Sequence, residues 1–212
     1  MEITAQDIAR ALLNAGAVAL RPEQPFRFAS GILSPVYCDN RLLLGRVEQR
    51  RLVARALASA VRQASQPVDL VAGTATAGIA WAAWIAEQLE LPMAYVRSGA
   101  KAHGKGNQIE GGVKAGQRAA LIEDTISTGG SSLEAAAALR NAGVYIASCW
   151  CIFSYQMAEA LAGFEAAGIQ LRPLTTLESL LGVAVDEGWL SHEGREIVEE
   201  WAVNPRGWRA GS

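Results

Sequence analysis

Short apolar runs alternate along this chain with longer stretches in which apolar residues return at helical spacing, an order that predicts parallel β-α-β units. The runs DLVAG (69–73), PMAYVR (92–97), AALI (119–122) and VYIASCWCIF (144–153) read as strands. Helices are expected between them. One spans 46–64, with Val47, Leu52, Val53, Leu57 and Val61 on a stripe and arginines on the other faces. Others are IAWAAWIAEQL, the stretch Leu133 to Leu139, and SYQMAEALAGFEAAG, ending near Gly168. Upstream, Thr4 with Asp7 three residues later forms a capping box for a helix through about Leu13, which Gly16 ends. Two more helices are expected near the C-terminus, about Leu177 to Val185 and Gly194 to Val203. The predicted fold is α/β, a doubly wound sheet with its ligands at the C-terminal strand edge.

Two segments escape this periodicity. FRFASGILSPVYCDNR (26–41) mixes aromatic and β-branched residues with Gly31 and Ser34-Pro35, so a hairpin or hooked loop is expected, structural or ligand-bearing alike. After Arg97, SGAKAHGKGNQIEGGVKAG has neither helical nor strand spacing. Arg97, Lys101, His103 and Lys105 alternate there with small residues, so several cations can reach one anion, and a mobile anion-clamping lid is expected ahead of a plain solvated loop.

The densest chemistry lies in AALIEDTISTGGSS (119–132). Its apolar run stops at Glu123 and Asp124, and Thr125 to Ser131 then supply hydroxyls and flexible backbone before a helix. Such a junction aims backbone N–H groups and a helix N-terminus at one spot, which suits a phosphate. Carboxylates would repel a phosphate, so they should face hydroxyls; a phosphorylated sugar meets both demands. A second turn, TATAG (74–78), also lets a ligand approach the backbone at a helix start, although a plain tight connection explains it equally well.

Composition narrows the remaining classes. The 212 residues suit one α/β domain, half are hydrophobic, and the formal net charge of -2 points away from disorder and from nucleic acid. Cys38, Cys149 and Cys151 are odd in number and lack CxxC spacing, which argues against disulfides or zinc; the last two should share one face of a strand. His192 beside a serine suits a surface or capping role. No signal peptide or membrane span is apparent, so a cytoplasmic protein without membrane partners is expected.

LIEDTISTGGSS resembles the phosphoribosyl pyrophosphate (PRPP) motif of the type I phosphoribosyltransferases, and FRFASGILSPVYCDNR, GTATAGIAWAAW and YVRSGAKAHGKGNQIEG look like the matching stretches of the bacterial orotate enzymes, in the same order. The resemblance implies a type I phosphoribosyltransferase fold, a mostly parallel sheet flanked by helices, as one domain over 1–212 with residues 1–45 as a hood over the base site. It implies transfer of the 5-phosphoribosyl group from PRPP to orotate, with Mg²⁺ held mainly through PRPP and no metal site built from protein residues. By position, Glu123 and Asp124 would take the ribose hydroxyls, and Thr125, Ile126, Ser127, Thr128, Gly129, Gly130 and Ser131 the 5'-phosphate. Thr74, Ala75, Thr76 and Ala77 would take the pyrophosphate, joined by Arg97, Lys101 and His103. Lys101, His103 and Asp124 are the catalytic candidates, and Tyr37, Cys38 and Ser127 would lie on the orotate side. A homodimer is implied, with loop 98–112 reaching the neighbouring subunit's site. A purine-base enzyme and a PRPP-sensing regulatory protein are the competing expectations.

Overall fold

In the computed structural model, which describes residues 2–27, 33–99 and 108–209, helix α1 (Ala5–Ala15) begins at its capping box: Asp7 N–H donates to Thr4 Oγ1, and Thr4 N–H to Asp7 Oδ2. Gly16, at φ 71°, ends it. Strands β1 (Val18–Leu20), β2 (Phe26–Arg27), β3 (Leu33–Ser34) and β4 (Val36–Cys38) follow, then a 3-10 helix (Asn40–Gly45) and α2 (Val47–Arg62). Next come β5 (Leu70–Thr74), α3 (Gly78–Leu89), β6 (Met93–Val96), β7 (Ile109–Glu110), β8 (Arg118–Ile126), α4 (Gly130–Asn141), β9 (Tyr145–Ser154), α5 (Ala158–Ala166), β10 (Leu171–Thr176), α6 (Leu177–Asp186) and α7 (His192–Val203).

These elements form two compact units, Met1–Arg50 with Thr175–Ser212, and Arg51–Leu174. In the first, α1 packs on α6 and α6 on α7. A 2.6 Å ion pair from Arg10 to Glu187 ties α1 to the residue capping α6, and Trp201 Nε1–H donates to Leu33 O. The expected hairpin over 26–41 is present in part. β2 pairs antiparallel with β3, but β4 pairs with β1, which the sequence pattern did not reveal. Three residues, Val18 to Leu20, are too few to register a period. His192 is exposed at the start of α7, whose N-cap is Ser191.

The second unit carries the sheet, in the order β10-β9-β8-β5-β6-β7. β9, β8, β5 and β6 run parallel, and β7 returns antiparallel to β6. This is the predicted α/β architecture, with two strands added that the pattern did not announce. β7 has two residues, and β10 contains Pro173, which an outermost strand tolerates because no ladder needs its missing N–H. On one face Leu70, Ala72, Leu121, Cys149 and Cys151 meet Ala135, Ala136 and Leu139 of α4 and Phe164 of α5. Cys149 and Cys151 pair with Leu121 and Glu123 and so share that face, as expected. Helix α3 packs on β5, β6 and β8, with Trp81 fully buried. Among the described residues no helix is long and apolar enough to cross a membrane.

Candidate functional site

Strand β8 runs further than its apolar content predicts, through Glu123, Asp124 and Thr125 to Ile126. Pairing holds it extended. Thr125 and Ile126 stay in register with Phe153 and Ser154, and Tyr155 N–H donates to Ile126 O. The expected phosphate turn is therefore shorter than Thr125 to Ser131: Ser127 to Gly129 form the connection, and Gly130 and Ser131 are already the first residues of α4. Gly129, at φ 81°, is where a side chain fits least, since a Cβ would also lie 2.9 Å from the Phe164 ring.

The first N–H groups of a helix lack intrahelical acceptors. Side chains cap α1, α6 and α7 through Thr4, Thr176 and Ser191. Among the described residues, the N-cap positions of α3, α4 and α5 (Ala77, Gly129 and Met157) make no side-chain cap bond. The first two of these follow neighbouring strands, β5 and β8, so their uncapped ends, each with a partial positive charge, lie side by side at the C-terminal edge of the sheet. Ser127, Thr128, Gly130 and Ser131 are exposed there.

The turn after β5 is held by close backbone contacts. A Cβ on Gly73 would lie 2.7 Å from Gly78 O, and one on Gly78 only 2.5 Å from Ile122 O. Both glycines therefore let the start of α3 sit directly on β5 and β8. Thr74, expected in the turn, is the last residue of β5; its hydroxyl oxygen is buried without a hydrogen-bond partner among the described residues. Ala75 N–H donates to Val96 O at 2.8 Å, which brings the turn beside β6 and thus beside Arg97. The Ala75–Thr76 peptide is cis.

Arg97 marks the base of the expected lid. Its N–H donates to Gln108 O, the Gln108 amide donates back to Arg97 O, both at 2.9 Å, and Glu110 lies 3.8 Å from its guanidinium. Lys101, His103 and Lys105 lie outside the described residues. The second half of the segment is not structureless as expected, since β7 lies within it.

The two acids have different surroundings. Asp124 is half-buried; its N–H donates to Glu123 Oε1 at 3.0 Å, and its Oδ1 accepts from Thr125 N–H at 2.8 Å. Glu123 is only 5% exposed, and its Oε2 accepts from Ser132 Oγ at 3.1 Å and from Ser131 Oγ at 3.5 Å. Burial, and then the Asp124 charge, pushes Glu123 up to about 8. Burial likewise pushes the Cys149 thiol well above its ordinary value; Glu123 adds to this and a hydrogen bond with Ser132 opposes it. Ser132 and Gln108 are contributors that the sequence pattern did not single out. The doubled serine after Gly-Gly was the available signal for Ser132, because the third helical residue points back at the strand that feeds the helix.

Tyr37 and Cys38 belong to the other unit, on β4. Tyr37 packs on Phe26 at a ring-centroid distance of 5.5 Å, and Arg21 lies over the Phe26 ring.

Residues 46–162 match the phosphoribosyl transferase domain family. An orotate phosphoribosyltransferase of Listeria monocytogenes serotype 4b is 49% identical over 203 residues, 96% of this chain and 97% of that protein. Among solved structures, the orotate phosphoribosyltransferase from Aeropyrum pernix superposes with a TM-score of 0.72 at 29% identity, over 86% of this chain and 98% of its own. The UMP synthase of Leishmania donovani gives a TM-score of 0.78 at 27% identity over 93% of this chain, which spans 42% of that longer protein.

Proposed function

The chain belongs to the phosphoribosyl transferase domain family, among its orotate phosphoribosyltransferases, and from that premise we propose that it moves the 5-phosphoribosyl group of PRPP onto orotate, giving orotidine 5'-monophosphate and pyrophosphate in pyrimidine synthesis. The observation that carries this reading is the pair of uncapped helix ends, α3 and α4, on neighbouring strands with Asp124 at the shared edge. A ligand with phosphate at one end, pyrophosphate at the other and hydroxyls between fits that spacing of charge.

Breaking the C1–pyrophosphate bond builds positive charge on the ribose and negative charge on the leaving group. In this proposal Asp124 accepts from the ribose hydroxyls and stabilises the first, with the backbone of Ser127 to Ser131 on the 5'-phosphate. Thr74 to Ala77 and Arg97 receive the second, joined by Lys101 and by His103, which can share a proton with pyrophosphate as it departs. Orotate arrives as an anion, so no dedicated base is needed; Tyr37, Cys38 and Ser127 are assigned to its side, with residues 1–45 as the hood.

Among the described residues no three His, Cys, Asp or Glu side chains gather into a metal cage. The proposal includes a magnesium ion held mainly by PRPP oxygens, since this ion commonly relies on substrate phosphates and water. When bound, it supplies charge neutralisation on the leaving group. A homodimer in which loop 98–112 reaches the neighbouring site, and a cytoplasmic setting, complete the proposal.

Purified protein with PRPP and Mg²⁺ should consume orotate, followed by loss of its ultraviolet absorbance. Turnover of adenine, hypoxanthine or xanthine with none of orotate would overturn it.

A further inference from the structure

Glu123 is not placed like a group that meets substrate. It lies on the face of β8 that packs against α4, level with Cys151 of β9, and is 5% exposed. Each of its oxygens already has a protein donor: Asp124 N–H at 3.0 Å on Oε1, and Ser132 Oγ at 3.1 Å on Oε2, with Ser131 Oγ at 3.5 Å beside it. Ser132 is itself fully buried and also bonds the Cys149 thiol. These serines stand in the first turn of α4, which has no side-chain cap of its own.

We propose that Glu123 and Ser132 are positioning residues for the 5'-phosphate: the Glu123 carboxyl ties the first turn of α4 to β8, so that its N–H groups are set for the phosphate, and Asp124 alone meets the ribose hydroxyls. The assignment rests on the PRPP reading above. Its physical basis is preorganisation. Backbone donors bind an anion best when their direction is fixed beforehand, and an uncapped helix end that must also stay open to ligand can be fixed only from beneath. The chain supplies that fixing from the strand immediately before the turn, so the two consecutive acids divide the labour: Glu123 is buried against α4, whereas Asp124 is only half-buried and also bonds the Glu123 carboxyl through its side chain.

The test measures binding of ribose 5-phosphate and of its 2-deoxy and 3-deoxy analogues by competition with PRPP, alongside kcat, KM and melting temperature. Ser132→Ala is expected to weaken all three sugar phosphates by one common factor of about fivefold to tenfold, as the loss of one hydrogen bond implies, raising KM for PRPP while kcat is kept. Glu123→Gln, which retains an acceptor oxygen, should preserve the wild-type ratio of affinities between ribose 5-phosphate and each deoxy analogue. Should Ser132→Ala not fold, Ser132→Cys takes its place with a smaller shift of the same pattern. A Glu123→Gln protein that loses its preference for ribose over a deoxy analogue places Glu123 on the sugar and overturns the assignment, as do unchanged affinities in the Ser132 variant. Wild-type protein that binds none of the three overturns the PRPP reading itself, and this assignment with it.

Discussion

Gly78 stands so close to Ile122 that a Cβ on it would lie 2.5 Å from that residue's carbonyl oxygen. The contact seats the first turn of α3 on β8, immediately before the acid pair. Gly78→Ala must therefore lift the helix start or shift the strand, at a cost of about 1–3 kcal/mol by the usual scale of overpacking. The expected result is a lower melting temperature together with a raised KM for pyrophosphate in the reverse reaction. Gly182→Ala is the control: that glycine lies within α6 with nothing inside 4 Å of the added carbon, so it should be neutral or stabilising by about 0.5–1 kcal/mol.

Thr74 offers a cleaner separation of binding from folding. Its buried hydroxyl oxygen finds no partner among the described residues, so Thr74→Val removes an unsatisfied polar atom at nearly constant shape. The unliganded protein should melt at the same temperature or higher, while KM for PRPP rises by about fivefold, the worth of one hydrogen bond. Unchanged KM would remove Thr74 from the pyrophosphate turn.

Much of this architecture was legible in the chain because burial and pattern coincide. The runs that became β5, β6, β8 and β9 are nearly all apolar, and parallel strands covered on both faces read that way. Their consequence, ligand sites at the C-terminal edge, follows from topology. What stayed hidden depends on partners distant in sequence. Thr125 and Ile126 look like turn residues until β9 is beside them, and β10 with its Pro173 looks like a loop until it has an edge to occupy. Glu123 and Asp124 read as a matched pair because the apolar run stops before them; only their place within β8 shows that one is buried against α4 and the other is half-exposed.

Asp124→Asn tests the acid left at the open edge. An amide keeps the shape but not the charge that steadies a cationic ribose, and hydrogen bonds to charged groups are worth about 1.5–3 kcal/mol. Catalytic efficiency with PRPP should fall by about tenfold to a hundredfold, while KM for orotate changes little. Steady-state kinetics with each substrate varied in turn decides it; unchanged PRPP kinetics would remove the ribose role.

Lys101→Ala should lower turnover by on the order of a hundredfold, the usual effect of removing one charge-stabilising group, with the melting temperature unmoved. The proposed role needs that lysine only when pyrophosphate departs. Stability lost in parallel with activity would instead make Lys101 a structural residue.

Glu123 gives the protein a stability that should fall as pH rises. Its folded pKa is raised to about 8 from an unfolded value of 4.5, so between those limits the folded state holds a proton that the unfolded chain releases. Protons held in excess by the folded state mean that its contribution is fully present below pH 4.5 and is lost as pH climbs toward 8. No cation among the causes opposes this: burial and Asp124 raise the pKa, whereas the bonds from Asp124 N–H and Ser132 pull it down. Glu123→Gln carries no titrating proton and should flatten the slope, so wild type and variant should diverge as denaturant melts move from pH 5 to pH 8, with the wild type losing on the order of a few kcal/mol relative to Gln. Parallel curves would mean that Glu123 is ionised throughout and that its bonds to Ser131 and Ser132 hold a full charge beneath the turn.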